Sequence, residues 1–265
     1  MASRRYPGVI VTDDIKGNGR KKMLIIGKTG TGKSSLCNVI AGYPHDAEIF
    51  PVSASAVSCT QSTKFADIFF NQNKERTCSL IDTIGFDDPN NDVDANIISE
   101  LVLRLKNDCD HVNLFIIAVN GQNPRLDASL IGMIRIFEGM FGEKFWNQVV
   151  LVFTRLPMDS KSIKKREKNN KKSDDDLASE YLEILQRKFP KGRGMKHLLM
   201  DACYDEDDDD EKTAFETALE SLWLLLTQSS PLPTTEVKKV ESESKKLQNQ
   251  IKEKEEMLEM VKQKR

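Results

Sequence analysis

Cysteine and histidine are scarce in this 265-residue chain, and what cysteine there is carries no pattern. The five cysteines, Cys37, Cys59, Cys78, Cys109 and Cys203, are odd in number, scattered and without CxxC spacing, so they suggest neither a disulfide framework nor a zinc site. A reducing compartment fits such usage, so a cytoplasmic protein is expected. His45, His111 and His197 stand apart from one another and suggest no metal centre. Long hydrophobic runs are missing as well. No stretch of about 18 apolar residues occurs, so no transmembrane segment is expected. The opening MASRRYPGVIVTDD holds no apolar signal region. Charge of one sign is also lacking. With 39 Lys and Arg against 41 Asp and Glu, the net charge of −2 gives no overall attraction to nucleic acid or acidic membrane, and no nucleic-acid partner is expected.

What is present is enough apolar residue, 39%, to bury one good-sized core, with 30% charged residues left over for surface and an appendage. Four runs are continuously apolar rather than alternating: MLIIG (23–27), TCSLID (77–82), NLFIIAV (113–119) and QVVLVFT (148–154). That is how strands read when both faces of a parallel sheet are covered. Helix-length amphipathic segments lie between and after them, near 33–42, 94–107, 127–141, 174–188 and 212–227. The alternation predicts an α/β fold with a doubly wound, mostly parallel sheet flanked by helices. KFADIFF (64–70) reads as an antiparallel edge strand.

Three segments interrupt the alternation. KSIKKREKNNKKSDDD (161–176), basic and then acidic, reads either as a solvated insertion or as a basic docking patch. YDEDDDDEK (204–212) lacks the glycine and the closing glutamate of a calcium loop, and reads as an acidic loop entering a helix N-terminus. SSPLPTT (229–235) is a linker. Beyond it, Val237, Val240, Ser244, Leu247, Ile251, Lys254, Leu258 and Val261 step by three and four along a heptad seam. The expected organisation is an N-terminal extension 1–20, a globular domain 21–228, the linker 229–235 and a coiled-coil-like helix 236–265. That helix either meets a partner helix or packs back on the domain.

GKTGTGKS, Gly27 to Ser34, matches the G-x-x-x-x-G-K-[ST] phosphate loop between a buried strand and a helix. The candidate phosphate-binding residues are Gly27, Lys28, Thr29, Gly30, Thr31, Gly32, Lys33, Ser34 and Ser35. Glycines let amide groups turn inward, Lys33 reaches the β/γ oxygens, and the Ser34 hydroxyl suits Mg²⁺. In LIDTIG, Asp82 ends a buried strand and Gly85 completes D-x-x-G; Asp82 is a candidate magnesium acid and the Gly85 amide a γ-phosphate sensor. Between the two motifs, ASAVSCTQSTKF offers Thr60, Thr63 and Ser58 as the residue that closes on the metal, and periodicity does not choose among them.

GKTGTGKSSLCNVIAG, IDTIGFDD and the block VNLFIIAVNGQNPRLDASLIGMIRIFEGMFGEKFWNQVVLVFTR resemble the immunity-associated nucleotide-binding GTPases, the GIMAP or IAN-type G domains, relatives of septins and of the chloroplast-import Toc GTPases. The resemblance spans roughly residues 21 to 228. It implies Mg²⁺ with GTP or GDP, a GTP-dependent homodimer through the G domain, and Thr60 as the metal-closing threonine. It also implies that Thr154-Arg155 stand for the base-reading motif, while Leu156 to Met158 depart from the family pattern. Asp159 either accepts from guanine or caps the next helix. Cys203 and Tyr204 in DACYDE, with Ala202, are the next candidate base contacts.

Phe86 follows D-x-x-G where an efficient switch protein carries a water-positioning Gln, and its ring neither donates nor accepts. Slow turnover in the monomer is therefore expected. Arg125, in NGQNPRLD, has two readings: a finger supplied in trans to a facing domain, or a surface arginine held by Asp127. The expected function is a GTPase switch activated by G-domain dimerisation. The alternative is a septin-like nucleotide-gated scaffold with negligible turnover. An ATP-dependent small-molecule kinase is disfavoured, because no arginine-rich lid follows the loop.

Overall fold

Strands with no polar interruption need cover on both faces, and here they receive it. The computed structural model describes residues 6–52, 62–86, 92–235 and 237, with side chains from 96 onward in the segment beginning at 92. In chain order the elements are β1 (Val9–Thr12), β2 (Lys21–Gly27), α1 (Lys33–Ile40), β3 (Lys64–Phe69), β4 (Thr77–Asp82), α2 (Asp92–Asp108), β5 (His111–Val112), β6 (Leu114–Asn120), α3 (Ala128–Phe141), β7 (Val149–Thr154), α4 (Ser160–Asn170), α5 (Asp174–Lys188), β8 (Lys196–Leu199), α6 (Asp209–Gln228) and β9 (Leu232–Pro233). The main sheet runs β1-β3-β4-β2-β6-β7-β8, parallel from β4 to β8. The doubly wound, mostly parallel α/β architecture is thus as expected.

One face is packed by α2, α3 and α5, with Leu105, Phe137 and Leu185 against Ile117 and Leu151. The other is packed by α1 and α6, with Leu36, Ile40 and Leu222 against Ile116 and Val152. Each fully buried Leu or Ile contributes on the order of 2 kcal/mol of transfer free energy, so the two clusters hold the sheet rigid at its carboxyl edge. Register then aligns that edge. Ile25 lies opposite Asp82, Gly27 opposite Ala118, and Asn120 opposite Thr154.

β3 is antiparallel as expected, but it is not the edge. β1 pairs with it from Val9↔Ile68 to Thr12↔Phe65, so the stretch set apart as an extension adds a strand. Four residues with half their side chains exposed gave little periodicity to read. The basic run after β7 is helical: α4 starts at the Asp159 N-cap and has no buried residue, and α5 starts at a Ser173 capping box with Asp176. The acidic loop does lead into a helix, with Asp208 capping α6 through the amides of Asp210 and Glu211. Within 229–235, β9 pairs with β5. Of the heptad run, Val237 is described and is buried; the rest of 236–265 lies outside the described residues. Among the described residues, no helix is long and apolar enough to cross a membrane.

The lower edge of the sheet is tied by a buried charge. Lys22 is fully buried, and its Nζ meets Asp110 Oδ1 at 2.7 Å. His111 Nδ1 approaches the same oxygen at 3.0 Å, and the Asp110 carbonyl accepts from the Thr234 amide, so β2, β5 and β9 are joined. Partial burial works to raise the Asp110 carboxyl, but the hydrogen bond and charge of Lys22, with His111, overcome it and hold the group at about 2. Asp110→Asn should lower unfolding free energy by about 2–3 kcal/mol, somewhat under a fully buried pair because Asp110 faces solvent in part. Since the folded carboxyl titrates below the unfolded one, this stabilisation is complete above about pH 4 and is lost as pH falls toward 2. Urea titrations near neutrality and near pH 3 should show the gap between wild type and variant closing; a gap of equal size at both would contradict the assignment.

Candidate nucleotide site

β2 delivers Gly27 to the carboxyl edge, where the chain turns through the loop into α1. Gly32, the residue before α1, sits at φ 83° and ψ 23°, a left-handed conformation that a β-carbon disfavours. With no side-chain cap, the first amides of α1 are left for a ligand. The loop is held open by its own polar groups. The Lys28 carbonyl accepts from Lys33 Nζ at 3.0 Å, from the Thr31 hydroxyl at 2.9 Å and from the Thr31 amide at 3.3 Å. The Thr154 hydroxyl lies 2.6 Å from the Thr31 carbonyl and 3.1 Å from that of Val119. Thr154, expected at the base, therefore anchors β7 to the loop.

Behind the loop, the Ser34 hydroxyl donates to Asp82 Oδ2 at 2.7 Å, and Asp82 is fully buried. A hydroxyl and a carboxylate brought together at a phosphate loop are the hard oxygen donors that magnesium prefers. Gly85 lies tight against the loop: a β-carbon there would stand 2.5 Å from Thr29 Oγ1 and 2.7 Å from the Thr29 amide nitrogen. Only glycine permits that approach. Next to it, the Phe86 amide donates to the Gly27 carbonyl at 3.3 Å, Phe86 bridges Lys28 in parallel register, and its buried ring meets Phe137 edge-on at 6.0 Å. Thr63 donates to Glu100 Oε2 at 2.7 Å; Thr60 and Ser58 lie outside the described residues.

A cavity of about 250 Å³ opens beside the loop, lined among others by Lys28, Thr29, Asn120, Asn123, Arg125 and Asp127. Lys28 Nζ pairs with Asp127 Oδ2 at 2.6 Å, and Asp127 also caps α3 through the Leu130 amide. Partial burial works to raise that carboxyl, but Lys28 and the cap hold it below its ordinary range. Arg125 is exposed. Its Nε donates to Asn123 Oδ1 at 3.2 Å, so among the contacts described Asp127 holds Lys28 rather than Arg125.

The opposite side of the loop faces the ends of β7 and β8. Arg155 adopts φ 55°, and its Nε stands 3.9 Å from where a β-carbon on Gly32 would be. Asp201 is buried, accepts from the Cys203 amide at 3.0 Å, and is raised by that burial and by Glu211, against the lowering charge of Arg155. Burial likewise raises the exposed-edge Cys203 thiol. Tyr204 stacks on Phe215 at 4.2 Å. Asp159 Oδ1 caps α4 by accepting from the Lys161 and Ser162 amides. Glu211 accepts from the amides of Asp159 and Asp205, stapling the two loops. Arg155 thus stands beside Gly32 with its charge felt at Asp201 and Cys203, while Tyr204 and Asp159 are committed to neighbours. Sequence reasoning missed Asp201, Glu211 and the Lys28–Asp127 pair. Residues 99 apart, as Lys28 and Asp127 are, leave no local signal.

A phosphate loop at the carboxyl edge of a parallel sheet, with a buried acid behind its serine, defines a nucleotide-binding domain of the phosphate-loop class. The chain belongs to the AIG1 family, whose model matches residues 21–175, in agreement with the resemblance drawn from its motifs. No curated protein sequence matched. Among solved structures, a dimerisation-deficient arginine-to-alanine mutant of Toc33 from Arabidopsis thaliana has a TM-score of 0.57 at 16% identity, covering 80% of this chain and 86% of that one. A structure of chloroplast translocon components atToc33 and psToc159, described by the importance of dimerisation for their GTPase activity, has a TM-score of 0.58 at 15% identity, covering 80% and 85%. Arabidopsis thaliana Toc33 in complex with Mg²⁺ and GMPPNP has a TM-score of 0.52 at 17% identity, covering 80% and 87%. At these identities the likeness is one of fold.

Thr154→Val removes the hydroxyl and leaves the Thr31 carbonyl short of a donor inside the fold. A loss of about 1–3 kcal/mol in unfolding free energy is expected, with Thr154→Ser close to wild type. Chemical denaturation of the three proteins checks it.

Proposed function

We propose that this protein is a magnesium-dependent GTPase, working in the cytoplasm, that turns over slowly as a monomer and is activated when two G domains meet. The observation that carries the reading is the convergence of the phosphate loop, the Ser34–Asp82 pair and Gly85 at one point of the sheet edge. Gly27 to Ser35 hold the phosphates, with the Lys33 ammonium drawn from its resting place on the Lys28 carbonyl to the β/γ oxygens. Ser34 and Asp82, with Thr60, hold Mg²⁺, which supplies charge neutralisation of the phosphates when bound. The Gly85 amide contacts the γ-phosphate. On the base side, Arg155 flanks guanine with Cys203 next to it and Thr154 fixing the loop beneath; Asp159, the α4 cap, and Tyr204, stacked on Phe215, stand behind them.

Arg125 is the finger, given in trans across a homodimer through the G domain. Its exposure beside the loop cavity supports this, as does the dimerisation-deficient arginine mutant among the Toc33 structures. The heptad helix 236–265 offers a further partner surface. A second reading is favoured by Phe86, whose buried ring cannot orient water: a septin-like, nucleotide-gated scaffold with negligible turnover.

The two separate by kinetics. GTP hydrolysis per protein should rise over a hundredfold concentration range, with guanine preferred over adenine analogues. Arg125→Ala should lower the activated rate by about 10³-fold or more with guanine affinity unchanged. Guanine binding with flat, negligible turnover in the wild type would favour the scaffold, and tight ATP binding would overturn both.

A further inference from the structure

We infer that the Thr29 hydroxyl is the positioning group for the attacking water, taking the place that Phe86 leaves empty. The inference rests on the GTPase reading above. Phe86 is fully buried, packed edge-on with Phe137 and tied by its amide to Gly27, and its ring holds no hydrogen-bonding atom with which to orient water. Some other polar group has to stand there if water is to be oriented. Thr29 does.

Three observations converge on it. Its Oγ1 is shut off from solvent and has no hydrogen-bond partner among the described residues, an expensive state for a hydroxyl unless a ligand completes it. The same oxygen lies 2.5 Å from the position of a β-carbon on Gly85, so it touches the residue whose amide meets the γ-phosphate. And Thr29 lines the 250 Å³ cavity beside the loop, which gives the water a place to stand. The other hydroxyls of the loop are engaged: Thr31 donates to the Lys28 carbonyl and Ser34 to Asp82.

A hydroxyl has one proton to give and two lone pairs to offer, so Thr29 can donate to a γ-phosphate oxygen while accepting from the water. The water oxygen then bonds to the γ-phosphorus as the bond from phosphorus to the β–γ bridging oxygen breaks. GDP leaves with that oxygen, and the water's proton passes to a γ-phosphate oxygen, giving inorganic phosphate. Thr29 ends the step as it began, and Arg125 neutralises the charge that spreads over the γ oxygens.

The test uses the full chain with Thr29→Val, which keeps the shape and loses the hydroxyl, and Thr29→Ser, which keeps the hydroxyl. Single-turnover hydrolysis of saturating GTP at high protein concentration gives the rate, and fluorescent GDP and GMPPNP give affinity. The Val variant should hydrolyse about 10- to 100-fold more slowly, a loss well beyond any fall in GMPPNP affinity, and Ser should restore most of the rate. A Val variant as fast as wild type overturns the inference, as does a Ser variant as slow as Val, or a rate loss matched by an equal loss of affinity. A wild type that binds guanine nucleotide but never turns it over overturns the GTPase reading and this inference together, and is told apart by needing no variant.

Discussion

A phosphate loop has to keep several backbone amides aimed inward at one point, with no side chain filling the space, and the carboxyl edge of this fold is arranged around that requirement. Amides left unpaired inside a protein would collapse onto the nearest acceptor. Here the loop's carbonyls are occupied instead: that of Lys28 by Lys33 and Thr31, and that of Thr31 by Thr154. Thr154 reaches it because β7 runs beside β6 in a register that puts Thr154 opposite Asn120, and β6 in turn sets Ala118 opposite Gly27. The loop's shape is therefore a property of three strands, and the two apolar clusters that clamp those strands matter to it as much as its glycines.

The same edge divides into two chemical sides. Toward α3, the cavity beside Thr29 is bordered by cation and anion in turn, Lys28, Asp127 and Arg125. The Lys28–Asp127 pair is more than a third exposed at both ends and is worth at most about 1 kcal/mol, so its weight is geometric: it ties the loop to the helix cap below the Arg125 segment. Toward β8, a buried acid, Asp201, faces the Arg155 charge, while Glu211 ties the two connecting loops. A ligand lying between the sides would touch elements that the chain brings together from residues 27 to 205.

Legibility followed local signal. β2, β4, β6 and β7 were readable because burial on both faces writes an unbroken apolar run, and α1, α2, α3, α5 and α6 because one apolar face repeats at helical spacing. The phosphate loop and D-x-x-G were readable because their chemistry sits in contiguous residues. β1 escaped because four residues, half of them exposed, carry too little pattern, and α4 because a helix with no buried face has no apolar stripe to repeat. Asp159 was read with two outcomes, base acceptor or helix cap. The cap is what the described contacts show, since a carboxylate next to free helix amides always has that partner at hand.

What the sequence determined by itself is the class of fold, the loop and the acid behind it, since each depends on residues near one another in the chain. What tertiary structure decided is which groups the loop answers to: Thr154 beneath it, Gly85 pressed on Thr29, Phe86 withdrawn into the core and Lys28 drawn to Asp127. The reason is physical. Hydrogen bonds and close packing at this edge join strands whose order in the sheet, β4-β2-β6-β7, is not their order in the chain. Hydrophobic periodicity specifies which face of an element is buried, but not which element it is buried against.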